Sequence, residues 1–93
     1  MQSKITKEKL AKYFTLTSEA LEIAEKNVAK GKMKESKEII SMASNYLKDA
    51  RYFQEKKDFV NAFAAINYAH GWLDSGVRLG IFDVNDNKRF TVK

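Results

Sequence analysis

The chain has 93 residues and a formal net charge of +5, and it contains no cysteine and no proline. Disulfides and thiolate metal sites are therefore excluded, and long uninterrupted helices are favoured. No apolar run approaches the roughly 18 residues of a membrane span, and MQSKITKEKL has no signal-peptide core, which predicts a cytoplasmic protein without a membrane partner.

The first predicted helix covers about residues 4–30, with Ser3 or Thr6 at its start and Gly31 as its C-cap. Its core positions follow one another at steps of four and three: Leu10, Phe14, Thr17, Leu21, Ala24 and Val28. Charged residues occupy the opposite face, so the pattern predicts a helix with one buried side.

Two further helices are predicted at about residues 34–56 and 58–80. Only a residue or two around Lys57 separates them, and such a short connection places them antiparallel. Asp58 is a suitable N-cap and Gly80 a suitable left-handed end for the third helix. Small and apolar residues form a continuous stripe along that helix, which predicts that it is the central one: Phe59, Ala62, Ile66, Ala69, Leu73 and Gly76. Gly71 and Gly76 further predict close approach of the first helix or the tail.

The C-terminal tail, residues 81–93, is too apolar for a free end: Ile81, Phe82, Val84, Phe90 and Val92. We expect it to fold back across the helices; the alternative is docking on a partner or a second copy. The predicted fold is therefore all-α, with residues 1–93 forming a single up-down-up antiparallel three-helix bundle and a C-terminal tail packed on it. The two turns resemble one another, but a tetratricopeptide array is disfavoured because no 34-residue period is present.

His70, Asp74 and Arg78 are spaced to share one face of the third helix. A histidine beside a carboxylate can serve as an oriented base or a metal ligand. No serine or cysteine nucleophile, second histidine or phosphate-binding loop accompanies it, so we predict no catalytic, metal or cofactor-binding residue. The favoured interpretation is an Asp74–Arg78 ion pair, with His70 a flank residue whose removal costs little.

Trp72, beside Gly71 and Tyr68, suggests either a ligand cleft or the edge of the core. The core edge is favoured, and the tyrosines at positions 46, 52 and 68 are interpreted in the same way.

Lysines gather around the first turn and form a candidate anion patch: Lys26, Lys30, Lys32, Lys34 and Lys37. The predicted topology brings Arg78, and by extension Lys88 and Arg89, to the same end. Phosphate binding by such a patch is physically reasonable. Glu25, Glu35 and Glu38 interrupt it and no nucleic-acid recognition motif is present, so a solvated surface is favoured.

The run DARYFQEKKDFVNAFAAINYAHGWLDSGVRLGIFDV, with the earlier EALEIAEKN, resembles the archaeal family known as domain of unknown function 357. Its hallmark is a DA-x-YF segment followed by an alanine-rich helix that ends in a YGWLDAG-x-RLG-type motif. His70 stands where that motif has an aromatic residue. The resemblance implies a spectrin-like or albumin-binding-domain-like three-helix bundle and no activity.

These observations together predict a non-enzymatic helical module for protein interaction or an accessory role, binding an unknown protein partner or a second copy of itself. Its candidate interaction motif is His70, Gly71, Trp72, Asp74 and Arg78. The alternative is a nucleic-acid or nucleotide-binding accessory domain that uses the lysine-rich first turn.

Overall fold

The computed structural model describes residues 5–90, which fold into three α-helices joined by short connections. Helix α1 runs Lys7–Glu25, α2 runs Met33–Glu55 and α3 runs Phe59–Arg78. The connections, residues 26–32 and 56–58, are short enough to reverse the chain each time. The predicted all-α, up-down-up three-helix bundle is confirmed. None of the described helices is long and apolar enough to cross a membrane.

Helix α3 is the central element, as its stripe of small and apolar residues predicts. It packs extensively against α2 and also against α1, whereas α1 and α2 touch each other least. Leu10, Ile66 and Leu73 are the largest aliphatic side chains fully inside. Around them the contacts are made by fully buried alanines, which bring the helices close together: Ala20, Ala24, Ala43, Ala62 and Ala69.

Helix α1 starts at one of the predicted caps but ends five residues before the predicted end. The hydroxyl of Thr6 accepts a hydrogen bond from the backbone N–H of Lys9 at 3.0 Å. The C-cap is Lys26, so the assignment of that role to Gly31 is wrong; Gly31 lies in the turn with φ +79°. The predicted positions of Ser3 and residue 4 lie outside the described residues.

The early end of α1 has a tertiary cause. The backbone N–H of Asp83 donates to the carbonyl of Asn27 at 2.7 Å, and the N–H of Ala29 donates to the carbonyl of Ile81 at 2.8 Å. Val28 and Phe82 thereby form an antiparallel bridge, and residues 27–29 are paired with the tail rather than with the helix. We call this pairing of residues 27–29 with residues 81–83 the clasp. Val28 therefore lies outside α1, contrary to the prediction that it is one of the core positions of that helix.

Helices α2 and α3 end as expected to within about two residues. Oδ1 of Asp58 accepts from the N–H of Asn61 at 3.2 Å and caps α3. At its other end, the N–H of Ile81 donates to the carbonyl of Gly76 and the N–H of Gly80 donates to that of Val77. With Gly80 at φ +77°, this is a Schellman ending, and it turns the chain into the tail.

The tail folds back on the bundle, as predicted. Ile81, Phe82 and Phe90 are buried with the core, and Val84 packs against it. Val92 lies outside the described residues.

Candidate functional site

A hydrogen bond between α1 and α3 involves the histidine that the sequence marks as a candidate base. Oγ1 of Thr17 lies 2.9 Å from Nδ1 of His70. Nε2 of the same ring lies 3.8 Å from Oδ1 of Asp74, one helical turn further on, which is too long for a hydrogen bond. In the tautomer with the proton on Nε2, Thr17 donates to Nδ1 and the Nε2–H group faces the carboxylate.

This arrangement holds two helices together. The Thr17 side chain is only 1% exposed, so its hydroxyl is enclosed between the helices and occupied by the imidazole. A cleft of about 270 Å³ lies beside it, lined in part by Tyr13, Leu16, Asn67 and Asp74. His70 is thus half-buried and bridges α1 and α3, a role that spacing along α3 alone did not predict. Arg78 is exposed at the end of α3, and its ion pair with Asp74 stays a prediction.

The solvent-facing side of α3 is apolar and carries no charge along most of its length. Its largest side chains are well exposed: Val60 by 68%, Tyr68 by 62% and Leu79, the C-cap, by 74%, with Trp72 at 36%. Smaller exposed residues fill the spaces between them. We call the whole set the α3 outer face: Val60, Ala64, Asn67, Tyr68, Gly71, Trp72, Ser75 and Leu79. At 3.6 residues per turn these eight positions fall within an arc of about 140°, which also contains the exposed Asn61 and Arg78.

This surface differs from the exposed sides of the other two helices. Lysines and glutamates recur along the exposed positions of α1 and α2, whereas Arg78 is the only charged residue among the exposed positions of α3. Six large apolar or aromatic side chains are exposed among residues 5–90, and four of them lie on the α3 outer face. An apolar strip of this kind is typical of a contact surface rather than of a solvated helix.

Of the three tyrosines predicted at the edge of the core, Tyr46 is there, half-buried against it, whereas Tyr52 and Tyr68 are exposed. Tyr68 projects to solvent and stacks on Tyr46 of α2, with ring centroids 5.3 Å apart and planes at 29°. Tyr52 is 56% exposed on the far side of α2, so its assignment to the core edge is also wrong. Trp72, at 36% exposure, lies at the border between the core and solvent. It lines an open groove of about 350 Å³ together with Tyr68 and Gly71.

The two helical glycines of α3 have different surroundings. A side chain at Gly76 would collide with the ring of Phe82, so the predicted close approach of the tail is correct there. At Gly71 a Cβ atom would meet nothing within 4 Å, so the expectation of close packing is wrong at that position. Nothing within the described residues requires a glycine at position 71, and its lack of a side chain leaves the α3 outer face open.

The five lysines of the candidate anion patch surround the connection between α1 and α2, and all but Lys32 are exposed. Lys26 lies 3.9 Å from Glu22, but both side chains are largely in solvent, so this ion pair is weak. Helix α2 begins next to the patch at Lys32, whose side chain makes no capping hydrogen bond to the amides of the first turn.

Arg89 does not join that patch, contrary to the predicted grouping. Its Nε donates to Oε1 of Glu19 at 2.9 Å, and its Nη1 donates to Oδ2 of Asp86 at 2.6 Å. The guanidinium of Arg89, with the backbone N–H of Lys88, holds the pKa of the Asp86 carboxyl below its usual range. The same carboxylate raises the pKa of Arg89. These bonds fasten the tail to the middle of α1.

Another groove is on the opposite side of the bundle, between α1 and α2. It encloses about 490 Å³, and its lining includes charged side chains: Lys48, Arg51 and Glu55. The guanidinium of Arg51 lies 5.2 Å from the ring centre of Phe14. This surface is mixed in charge, so it provides a control for experiments on α3.

Sequence reasoning missed the α3 outer face, although a signal for it was present. Between Phe59 and Val77 the only charged residue is Asp74, and it points towards His70 rather than outward. An amphipathic surface helix normally carries charges on the side away from the core. The absence of such charges could have identified this face without a structure.

Comparison with protein families finds one match. The model of the family described as "Protein of unknown function (DUF357)" matches residues 12–82, which include all of α2 and α3 and most of α1. No curated protein and no solved structure matches the chain.

Proposed function

Starting from the fact that this chain belongs to the DUF357 family of proteins of unknown function, we propose that it is a non-enzymatic helical module that binds another protein through the α3 outer face. The observation that supports this proposal is the strip of exposed side chains running from Val60 to Leu79, in which Arg78 is the only charged residue. Exposed apolar surface of this kind is unfavourable in water, and its burial by a partner lowers the free energy.

The surroundings of His70 also favour a binding role over a catalytic one. Thr17, the hydroxyl nearest the imidazole, is enclosed and already bonded to it. A nucleophile must reach its substrate, and this hydroxyl faces the inside of the bundle. The bond therefore serves to hold α1 against α3.

The proposal is tested by affinity capture from a lysate of the source cell. The parent chain is compared with Ala64→Arg, which places a charge on the α3 outer face, and with Tyr52→Glu, which does so on the far side of α2. We expect proteins retained by the parent to be lost with Ala64→Arg and kept with Tyr52→Glu. Equal recovery with all three chains would refute a role for this face.

A second candidate function is phosphate binding at the first turn, as in a nucleic-acid or nucleotide-binding accessory domain. It is favoured by the uncapped start of α2 next to four lysines, because helix N-termini and lysines both attract phosphate: Lys30, Lys32, Lys34 and Lys37. Gel-shift titrations with single-stranded and duplex oligonucleotides at two salt concentrations test it. Binding that weakens steeply with salt and is lost in a Lys30→Ala, Lys34→Ala chain would support it.

A further inference from the structure

We propose that the partner of the α3 outer face is a second copy of this chain, packed with its α3 antiparallel to the first about a two-fold axis. This deepens the proposed function and rests on it. It is carried by the arrangement of large and small residues along the face, by the position of Arg78 and by the exposed area.

The α3 outer face is symmetric about the midpoint between Ala69 and His70. When two copies of α3 lie antiparallel and cross at that midpoint, each exposed position of one copy lies at the height of another exposed position of the other copy. The facing pairs are Val60 with Leu79, Ala64 with Ser75, Asn67 with Trp72, and Tyr68 with Gly71. Every residue of the face therefore has a counterpart, as a two-fold interface requires.

The sizes of the side chains match in the same arrangement. Near the axis the large ring of Tyr68 in one copy lies at the height of Gly71 in the other. Gly71 has no atom within 4 Å of its missing side chain, so the space beside it is open to a ring from outside. Further out, Ala64 lies opposite Ser75, and two small residues let the helices approach closely. At the ends Val60 meets Leu79, an aliphatic pair that closes the contact.

Electrostatics favour the antiparallel over the parallel arrangement. Each copy carries a net charge of +5, so association is easiest through a surface that brings few further like charges together. Arg78 is the one charged residue among the exposed positions of α3, and it projects in the same direction as Val60. In a parallel pair, the two Arg78 side chains would be side by side. In the antiparallel pair, each lies near the start of the other α3, where Asp58 and Asn61 offer oxygen acceptors.

The exposed area is sufficient for a modest dimer. With about 150–250 Å² for a fully exposed large side chain, the face presents on the order of 600 Å² per copy. Two copies would bury roughly 1,200 Å² in total, which is the lower end of specific interfaces. We therefore expect association at micromolar rather than nanomolar concentration.

Sedimentation equilibrium of the purified chain tests the dimer. We expect a monomer–dimer equilibrium whose dissociation constant rises at least roughly tenfold in both Tyr68→Glu and Ala64→Arg, as for a residue at the centre of an interface. Tyr52→Glu, with the same change of charge as Tyr68→Glu but away from α3, should associate like the parent. Far-ultraviolet circular dichroism checks that each variant is folded. A parent chain that stays monomeric at millimolar concentration would overturn the proposal.

Cross-linking tests the orientation, since the chain has no cysteine of its own. Val60→Cys and Leu79→Cys chains are mixed and treated with a short bismaleimide. The antiparallel pair brings positions 60 and 79 together, while two copies of position 60 lie about 28 Å apart at 1.5 Å per residue. We expect the mixed product and little of either self-product. Self-products from both single variants, without the mixed product, would show a parallel pair and refute the two-fold arrangement proposed here.

These results separate the two proposals. A monomeric parent whose captured proteins are lost with Ala64→Arg would refute the dimer but leave the α3 outer face as a site for a different protein. A monomeric parent with no captured protein dependent on this face would refute both. Capture of a lysate protein does not by itself support the dimer.

Discussion

The ring of Phe82 occupies the space that a side chain on Gly76 would fill. A Cβ atom at position 76 would run into the ring and would also lie 3.1 Å from Cδ1 of Ile39. Phe82 is 1% exposed and held by the clasp, so it has little freedom to move away. The end of α3, the tail and α2 are therefore packed against one another at a single glycine.

Gly76→Ala should lower the free energy of unfolding by about 1–3 kcal/mol, as expected for an overpacked core position. In a domain of this size each kcal/mol corresponds to a fall in Tm of about 4–8 °C. Gly71→Ala is the matched control: it meets nothing within 4 Å and should raise stability by up to about 1 kcal/mol through helix propensity. Melts at low protein concentration keep association from contributing. Equal effects of the two substitutions would contradict this packing.

Replacement of His70 should cost more than its place at the border of the α3 stripe suggests. His70→Ala removes the partner of the buried Thr17 hydroxyl, and we expect a loss of about 1–2 kcal/mol in the free energy of unfolding. Thr17→Val removes the hydroxyl while keeping the shape. In the double variant the loss of unfolding free energy should be smaller than the sum of the two single losses. Urea unfolding should show this difference, the coupling energy, to be about 1 kcal/mol. Strictly additive effects would show that the hydrogen bond contributes nothing to stability.

Lys57 adopts a left-handed conformation, with φ +60°, at the end of α2. Such a conformation costs a residue with a side chain about 1–2 kcal/mol, and part of this is recovered with glycine. Lys57→Gly should therefore stabilise the bundle by roughly 0.5–1 kcal/mol, seen as a higher urea midpoint with an unchanged slope. Lys56→Gly, at φ −83°, is the control and should give no such gain. A lower midpoint for Lys57→Gly would mean that the lysine side chain has an unrecognised role.

The attachment of the tail should depend on pH through Asp86. The folded pKa of this carboxyl lies below its unfolded value because Arg89 donates to it. Its contribution is therefore present above about pH 4 and is lost as the pH falls through the depressed pKa. In an NMR titration from neutral to strongly acidic pH, the carboxyl chemical shift of Asp86 and the ring signals of Phe90 should change together. In Asp86→Asn the Phe90 signals should lose this transition. A midpoint at or above the ordinary aspartate value would contradict the bond.

Most of the helical framework could be predicted from local pattern, because helix caps and apolar spacing act over a few residues. Thr6 and Asp58 cap the starts of α1 and α3, and Gly80 follows the end of α3, as their chemistry indicates. The end of α1 could not be predicted in this way. Residues 26–30 continue a helical pattern, but residues 27–29 bond to the tail, which lies more than fifty positions away along the chain. Tertiary pairing outweighs a weak local preference.

The candidate sites were predicted less well than the fold, for the same reason. The hydrogen-bond partner of His70 is Thr17 on α1, whereas spacing within α3 can suggest only Asp74 or Arg78 as partners. Arg89 was assigned to the basic end by topology, yet two carboxylates on different segments, Glu19 and Asp86, bind it. The exposed tyrosines were assigned to the core edge by residue type, whereas their exposure depends on how far each helix is rotated about its axis.

The clasp also sets an order of folding. Helices α2 and α3 are neighbours along the chain, so their pairing closes a short loop and can form early. The clasp joins residues 27–29 to residues 81–83, more than fifty positions apart, and can form only when both segments are present. On the ribosome, a nascent chain would therefore form its α2–α3 hairpin first. Residues 27–29, in the turn after α1, would pair with residues 81–83 only afterwards. Residues 81–83, which are made after all three helices, thus complete the turn that follows α1.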